Sequence, residues 1–247
     1  MSEQTPTVKV NPKKVLIILL VIAVILVSLS IWGQHIKYFP GSIDIRGPIH
    51  EYFLDLLMST FYMDNEANIP TYFNTILLFI PAALLAIIGS WKKSEGDKFR
   101  YAWIGLSLVF LFLSIDEASV LHETLIKPMR SLINYEGYGG LFYFAWVIPG
   151  MGAVLLFIII YLRFFLHLPN KYKFLFAASL TIYVSGVIGG EMLSGHFADT
   201  IGFKNFTYAK YTSLEESLEW LGAIMIIYSL LSYMKDHLPN GIKLTGE

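Results

Sequence analysis

Residues 15–32 read VLIILLVIAVILVSLSIW, an uncharged and almost wholly apolar run. A helix needs about 20 such residues to cross the hydrocarbon core of a bilayer, since each adds about 1.5 Å of rise. The run is long for the apolar part of a secretory signal, and no small-x-small cleavage site follows it cleanly, so it reads as a membrane helix. Five further stretches are of similar length and mostly apolar, the third, fifth and sixth spans carrying acidic residues at one end: Phe73–Trp91, Tyr101–Leu121, Phe142–Arg163, Lys173–Leu193 and Glu215–Met234. They predict an all-α fold, an integral membrane bundle of six transmembrane helices. The domain plan is one membrane domain over 15–234, with cytoplasmic tails at 1–14 and 235–247 and an outer segment at 33–72.

Composition points the same way. Of 247 residues, 55% are hydrophobic and only 15% charged, and there is no cysteine. Soluble chains carry roughly a quarter charged residues. The absence of cysteine excludes disulfides, thiolate metal sites and a cysteine nucleophile. A formal net charge of −1 offers no basic footprint for nucleic acid.

Basic residues set orientation. Lys9, Lys13 and Lys14 precede the first run and place the N-terminus inside; six crossings return the C-terminus inside. On that topology 12 of the 18 basic residues fall on the inner side. The expected location is a bacterial cytoplasmic membrane. The acids run the other way: of 19, only Glu3, Glu95, Asp97, Asp236 and Glu247 lie inside. Acids contribute little to topology, so their crowding at the outer ends needs another cause.

In the outer segment, Pro48 suits the first turn of a helix. Glu51, Asp55 and Ser59 would form its polar stripe, with Phe53, Leu54, Leu56, Leu57 and Phe61 on the apolar side. Such a helix lies at the membrane interface or caps the bundle. His35 and His50 read as interface residues. Asp64, Glu66 and Asn68 alternate like calcium-loop ligands, without the turn glycine of that motif. The longer connections, 124–141 and 194–214, lie outside. Pro149-Gly150 predicts a kink in the fourth span, and Gly186, Gly190 and Ser194 make a small-residue face for close packing.

Three acidic segments end on the outer side. They are Ser114-Ile-Asp116-Glu117-Ala-Ser119-Val-Leu-His122-Glu123, Gly189-Gly190-Glu191, and Ser213-Leu-Glu215-Glu216-Ser-Leu-Glu219. On a continuous helix Asp116, Ser119 and Glu123 share one face, flanked by Glu117 and His122; Glu215, Glu216 and Glu219 share one arc. Ionised groups in a bilayer are costly unless paired or hydrated, and no basic residue in these helices matches them. A divalent cation would neutralise them, and carboxylates with an imidazole suit Fe, Mn or Zn. The expected ligands are Asp116, Glu123, Glu191, Glu219 and Glu216, with His122 and Glu117 catalytic. A cheaper reading exists for the last segment, because Ser213-x-x-Glu216 also fits a capping box.

The run Asn68-Ile-Pro70-Thr71-Tyr72-Phe73, Ser114-Ile-Asp116-Glu117 through His122-Glu123, and Glu215-Glu216-x-x-Glu219 resemble a group of uncharacterised bacterial polytopic membrane proteins over about residues 65–225. That resemblance implies no activity. Membrane hydrolases similar to alkaline ceramidase use a His-x-x-x-His, and di-iron carboxylate bundles use Glu-x-x-His; neither occurs here. The leading expectation is a metal-dependent membrane enzyme, a hydrolase or oxidoreductase, acting on a lipid-like or other membrane-dissolved substrate among the membrane lipids. The alternatives are a proton or cation transporter or channel, and a non-catalytic accessory or assembly protein.

Overall fold

The computed structural model describes residues 10–42, 47–134 and 140–238. The remainder of the expected tails (1–9 and 239–247), part of the outer segment (43–46), part of the 124–141 loop (135–139) and the side chain of His50 lie outside the described residues.

Among the described residues every element of secondary structure is a helix. In order the chain forms α1 (Pro12–Tyr38), α2 (Pro48–Phe61), α3 (Ile69–Ser94), α4 (Arg100–Ser119), α5 (Ile126–Leu132), α6 (Val147–His167), α7 (Asn170–Val184), α8 (Glu191–Ile201) and α9 (Phe206–His237). A π-helical turn, Ser185–Gly190, joins α7 to α8 without a break. Among the described residues, six helices are long and apolar enough to cross a membrane: α1, α3, α4, α6, α7 with α8, and α9. The protein is therefore a multi-pass membrane protein.

Asparagines start three of these helices. The Oδ1 of Asn11 accepts from the backbone of Lys13 and Lys14, that of Asn68 from Thr71, and that of Asn205 from Tyr208. Each satisfies amide groups that the first turn of a helix leaves without partners. Pro12, Pro48 and Pro70 follow in first turns, where a missing N–H costs nothing.

α9 is the central post. Its buried residues, among them Trp220, Ala223, Ile224, Ile227, Leu230 and Tyr233, point in every direction, as expected of a helix enclosed by neighbours. α1, α3 and the α7–α8 rod pack around it, and α4 pairs with α3. α3 and α4 run antiparallel and are stapled by hydroxyls: Ser107 Oγ donates to Ala82 O (2.7 Å) and Ser114 Oγ to Thr75 O (2.9 Å). α1 and α6 keep broad apolar faces open, including Ile17, Ile18 and Val24 on one and Ile159, Ile160 and Leu166 on the other. In lipid such faces carry no penalty.

Three sequence expectations are corrected by the fold. α4 does not continue to Leu121: it stops at Ser119, and Val120 adopts a left-handed conformation (φ 55°, ψ 38°). Pro149 does not kink a span, because α6 starts at Val147 and the proline falls in its first turn. The capping box at Ser213 is absent. α9 begins seven residues earlier at Asn205–Phe206, and Ser213 Oγ donates to Ala209 O inside the helix. Glu215 and Glu216 are thus mid-helix residues with no capping role, and their presence in the bundle has no local explanation.

Candidate functional site

One end of the bundle holds a cavity of about 320 Å³, lined from α3, α4, α9, the α7–α8 rod with its π turn, and the loops around 63–66, 120–123 and 144–146. Nine carboxylates line it: Asp64, Glu66, Asp116, Glu117, Glu123, Glu191, Glu215, Glu216 and Glu219, together with His122. Among its described lining residues there is no lysine or arginine. Every residue expected from the sequence as a ligand or catalytic group faces this space. Three acids not chosen from the sequence, Asp64, Glu66 and Glu215, join them.

The glycine face of the π-helical turn brings the α8 and α9 acids together. A Cβ on Gly186 would stand 2.7 Å from Glu219 Cγ, and one on Gly190 would stand 2.8 Å from Glu215 Cβ. Only bare backbone allows α9 so close. Two turns below, a Cβ on Gly222 would stand 2.6 Å from the Tyr183 backbone, so the seam is glycine on both helices. The π turn then carries Glu191 against Glu215, whose carboxyls contact each other. Local π turns of this kind recur at functional sites.

The α4 contribution depends on the left-handed turn at Val120. The Val120 amide closes onto Asp116 O (2.6 Å), ending the helix, and the chain doubles back so that His122 sits over Asp116. Asp116 Oδ1 accepts from the His122 backbone amide (2.9 Å), and Oδ2 pairs with His122 Nδ1 (2.8 Å). Both oxygens of Asp116 are therefore committed to His122, and the helical face expected for Asp116, Ser119 and Glu123 does not exist. The imidazole also rests on the Trp146 ring, 4.5 Å between centroids. Burial alone would lower the His122 pKa; the hydrogen bond and charge of Asp116, with Glu191 and Glu123 nearby, outweigh it and hold the pKa above its ordinary value. The left-handed region costs a non-glycine residue about 1–2 kcal/mol. Val120→Gly is accordingly expected to keep or raise thermal stability, by up to about 1 kcal/mol, whereas Val120→Ala is not. A calorimetric comparison of the two variants reads this directly.

Second contacts orient the remaining acids. Trp146 Nε1 donates to Glu191 Oε1 (3.0 Å). Asp64 accepts from the hydroxyls of Tyr62 and Tyr208 (both 3.1 Å), which fixes the 62–66 loop over the cavity. This and the capping of α3 by Asn68 replace the calcium-loop reading. Asn74 is wholly buried, its Nδ2 reaches Glu219 Oε2 (3.5 Å) and its amide also bonds Glu117, while its Oδ1 has no partner. Asn74, Trp146, Tyr62 and Tyr208 were not legible as site residues. Asn74, Trp146 and Tyr208 lie far in sequence from the acids they hold, Tyr62 is two residues from Asp64, and all four sit in stretches whose composition is ordinary for a membrane helix or loop.

Among the described residues, no three histidine or carboxylate side chains form a ready-made metal cage. The acids line walls and do not pinch onto one point. The donor set nonetheless fits a hard or borderline divalent cation: many carboxylate oxygens and one imidazole with Nε2 unengaged by Asp116.

A family model for the domain of unknown function DUF8692 matches residues 13–234. The chain belongs to that family. No curated protein and no solved structure matches it. The DUF8692 match runs from the first turn of α1 to the last turns of α9, so it contains every residue lining the cavity. It agrees with the sequence-based resemblance to an uncharacterised family.

Proposed function

We propose that this protein is a metal-dependent membrane enzyme whose acidic cavity lies in the outer leaflet of a bacterial cytoplasmic membrane, with both termini cytoplasmic. The observation that carries the reading is the set of nine carboxylates around one cavity with no described basic residue among them. Charges so crowded repel one another and lose hydration, a cost that a divalent cation removes. Glu123, Glu191, Glu216 and Glu219 are the proposed ligands, and the metal is Fe, Mn or Zn. Asp116 moves from ligand to orienter: a carboxylate on the Nδ1 of an imidazole fixes its tautomer and turns Nε2 toward the reacting centre. A bound cation would acidify a water molecule, His122 would be the group to take its proton, and Glu117 would be a second acid–base group.

The floor of the cavity favours an enzyme over a conduit. Leu78, Leu113, Tyr183 and Val187 line its inner side. Beyond them Leu77, Leu85, Ile88, Trp220, Ile227 and Leu230 are almost completely buried in one continuous apolar core. The buried hydroxyls of Ser107 and Ser114 are spent on backbone carbonyls. Among the described residues, the core beneath the cavity is predominantly apolar, which disfavours passage of an ion inward. An acidic pocket with an apolar floor, in a membrane bundle, suits a lipid-like or other membrane-dissolved substrate.

The test is metal content by mass spectrometry on gently solubilised protein. The wild type is expected to retain stoichiometric Fe, Mn or Zn through gel filtration, and a Glu191→Ala/Glu219→Ala double variant to lose it. Wild-type protein free of these metals after purification from metal-replete cells would overturn the reading.

A further inference from the structure

α2 presents three distinct faces. At about 100° per residue, Leu54, Leu57, Met58 and Phe61 form one sector, Glu51, Asp55 and Ser59 a second, and Ile49, Tyr52, Phe53 and Leu56 a third. The first sector packs on the bundle: Leu57 is buried, and its side chain fills the space a Cβ on Gly33 of α1 would need (3.1 Å). The second is polar and exposed. The third is apolar and open, with Ile49 85%, Tyr52 70%, Phe53 51% and Leu56 49% exposed.

A helix on a water-bathed surface needs only two sectors, one packed and one polar. A third, continuous apolar sector at i, i+3, i+4 and i+7 is the signature of a helix lying in an interface. The open sector also continues an existing lipid surface. α2 is clamped to the cavity-side end of α1, where Ile31 (37%), Trp32 (45%) and Phe39 (48%) remain exposed above the open apolar belt of that helix. Trp and other aromatic side chains in this position mark the headgroup level of a bilayer.

The helix is tied to the cavity within a few residues of its end. The Met63 amide donates to Ser30 Oγ of α1 (3.1 Å), Tyr62 bonds Asp64, and Asp64 bonds Tyr208 of α9. We propose that α2 is seated in outer-leaflet lipid by its Ile49–Tyr52–Phe53–Leu56 face, and that the 62–67 loop, carried by α2, holds the mouth of the cavity at headgroup depth. For the outer-leaflet assignment and for the entry of substrate from lipid, this rests on the function proposed above. The occupant of the open face is lipid, not a protein surface.

The chain has no cysteine, so single-cysteine variants can be spin-labelled without background. The experiment uses full-length protein in nanodiscs of mixed zwitterionic and anionic lipid, with Ile49→Cys, Phe53→Cys and Leu56→Cys on the open face, Glu51→Cys and Asp55→Cys on the polar face, and Ala67→Cys in the loop. Collisions are measured with oxygen, which concentrates in lipid, and with a water-soluble nickel chelate. The open-face labels are expected to favour oxygen several-fold over the polar-face labels, and the Ala67 label to be intermediate. Nickel-type exposure at all six positions overturns the proposal. Shielding of the open face from both reagents also overturns it, since a second copy or another protein would then cover that face. Metal content of the same six variants reads the cavity separately: retained metal with nickel-exposed α2 sinks only this inference, and lipid-type exposure without metal sinks only the enzyme reading.

Discussion

Glu219→Gln is expected to move stability in opposite directions with and without metal. Glu219 stands where three elements meet: its Cγ presses on Gly186, its Oε2 takes the Asn74 amide, and it shares the cavity with eight other carboxylates. In the metal-stripped protein the charge has no cationic partner among the described lining residues. A glutamine of the same shape removes it while keeping an acceptor for Asn74. An uncompensated, largely desolvated charge costs about 1–3 kcal/mol in such a half-closed site. The stripped variant should therefore melt higher than the stripped wild type, by about 2–4 °C for each kcal/mol at this chain length. Adding Mn(II) or Zn(II) should reverse the order. A ligand present at a hundred times its Kd stabilises by about 2.7 kcal/mol, so the wild type gains and the variant, short of a ligand, gains little. The measurement is a thermal scan of both proteins in detergent, with chelator and with metal. If the stripped variant melts lower than stripped wild type, Glu219 is satisfied by the protein itself and the case for a cation in this cavity fails.

This sign reversal depends on features that the sequence shows unequally. The six spans are legible because length and uninterrupted apolarity are one-dimensional properties; α1, α3 and α4 contain the predicted runs, short only of Leu121-type overhangs at an end. Boundaries shift where polar or aromatic residues continue a helix. Residues 206–214, FTYAKYTSL, carry too many hydroxyls and a lysine to read as membrane helix, yet Asn205 caps them and they add two turns to α9. That hidden start made Glu215 and Glu216 look like helix-terminal residues. The α4 turn was hidden for the opposite reason. A β-branched valine is among the residues least suited to φ 55°, so nothing local announces that the chain reverses there and lays His122 on Asp116. The acids themselves were legible as an anomaly of charge in an apolar chain. Asn74 was not, because one amide in a membrane helix carries no signal until Glu117 and Glu219 are placed beside it.

Gly186→Ala is expected to damage both fold and cavity, while Gly189→Ala, three residues on in the same π-helical turn, is expected to do neither. At Gly186 an added Cβ would lie 2.7 Å from Glu219 Cγ, 2.9 Å from Glu215 O and 2.9 Å from Glu219 N. Two of these three atoms are backbone, so no rotamer change relieves the clash, and α9 must move away from the turn. Overpacking of this kind costs about 1–3 kcal/mol. The same displacement withdraws Glu215 and Glu219 from Glu191, so metal retention should fall together with melting temperature. At Gly189 an added Cβ meets nothing within 4 Å. Alanine there has only its better helix propensity to contribute, up to about 1 kcal/mol in favour of folding. The pair separates a steric seam from a general need for flexibility in the π turn: a flexible hinge would suffer from both substitutions, a seam only from the first. Melting temperature and metal content of the two variants, measured side by side, decide it. Equal losses at both positions would mean that the turn itself, and not the contact of Gly186 with α9, holds Glu191 in the cavity.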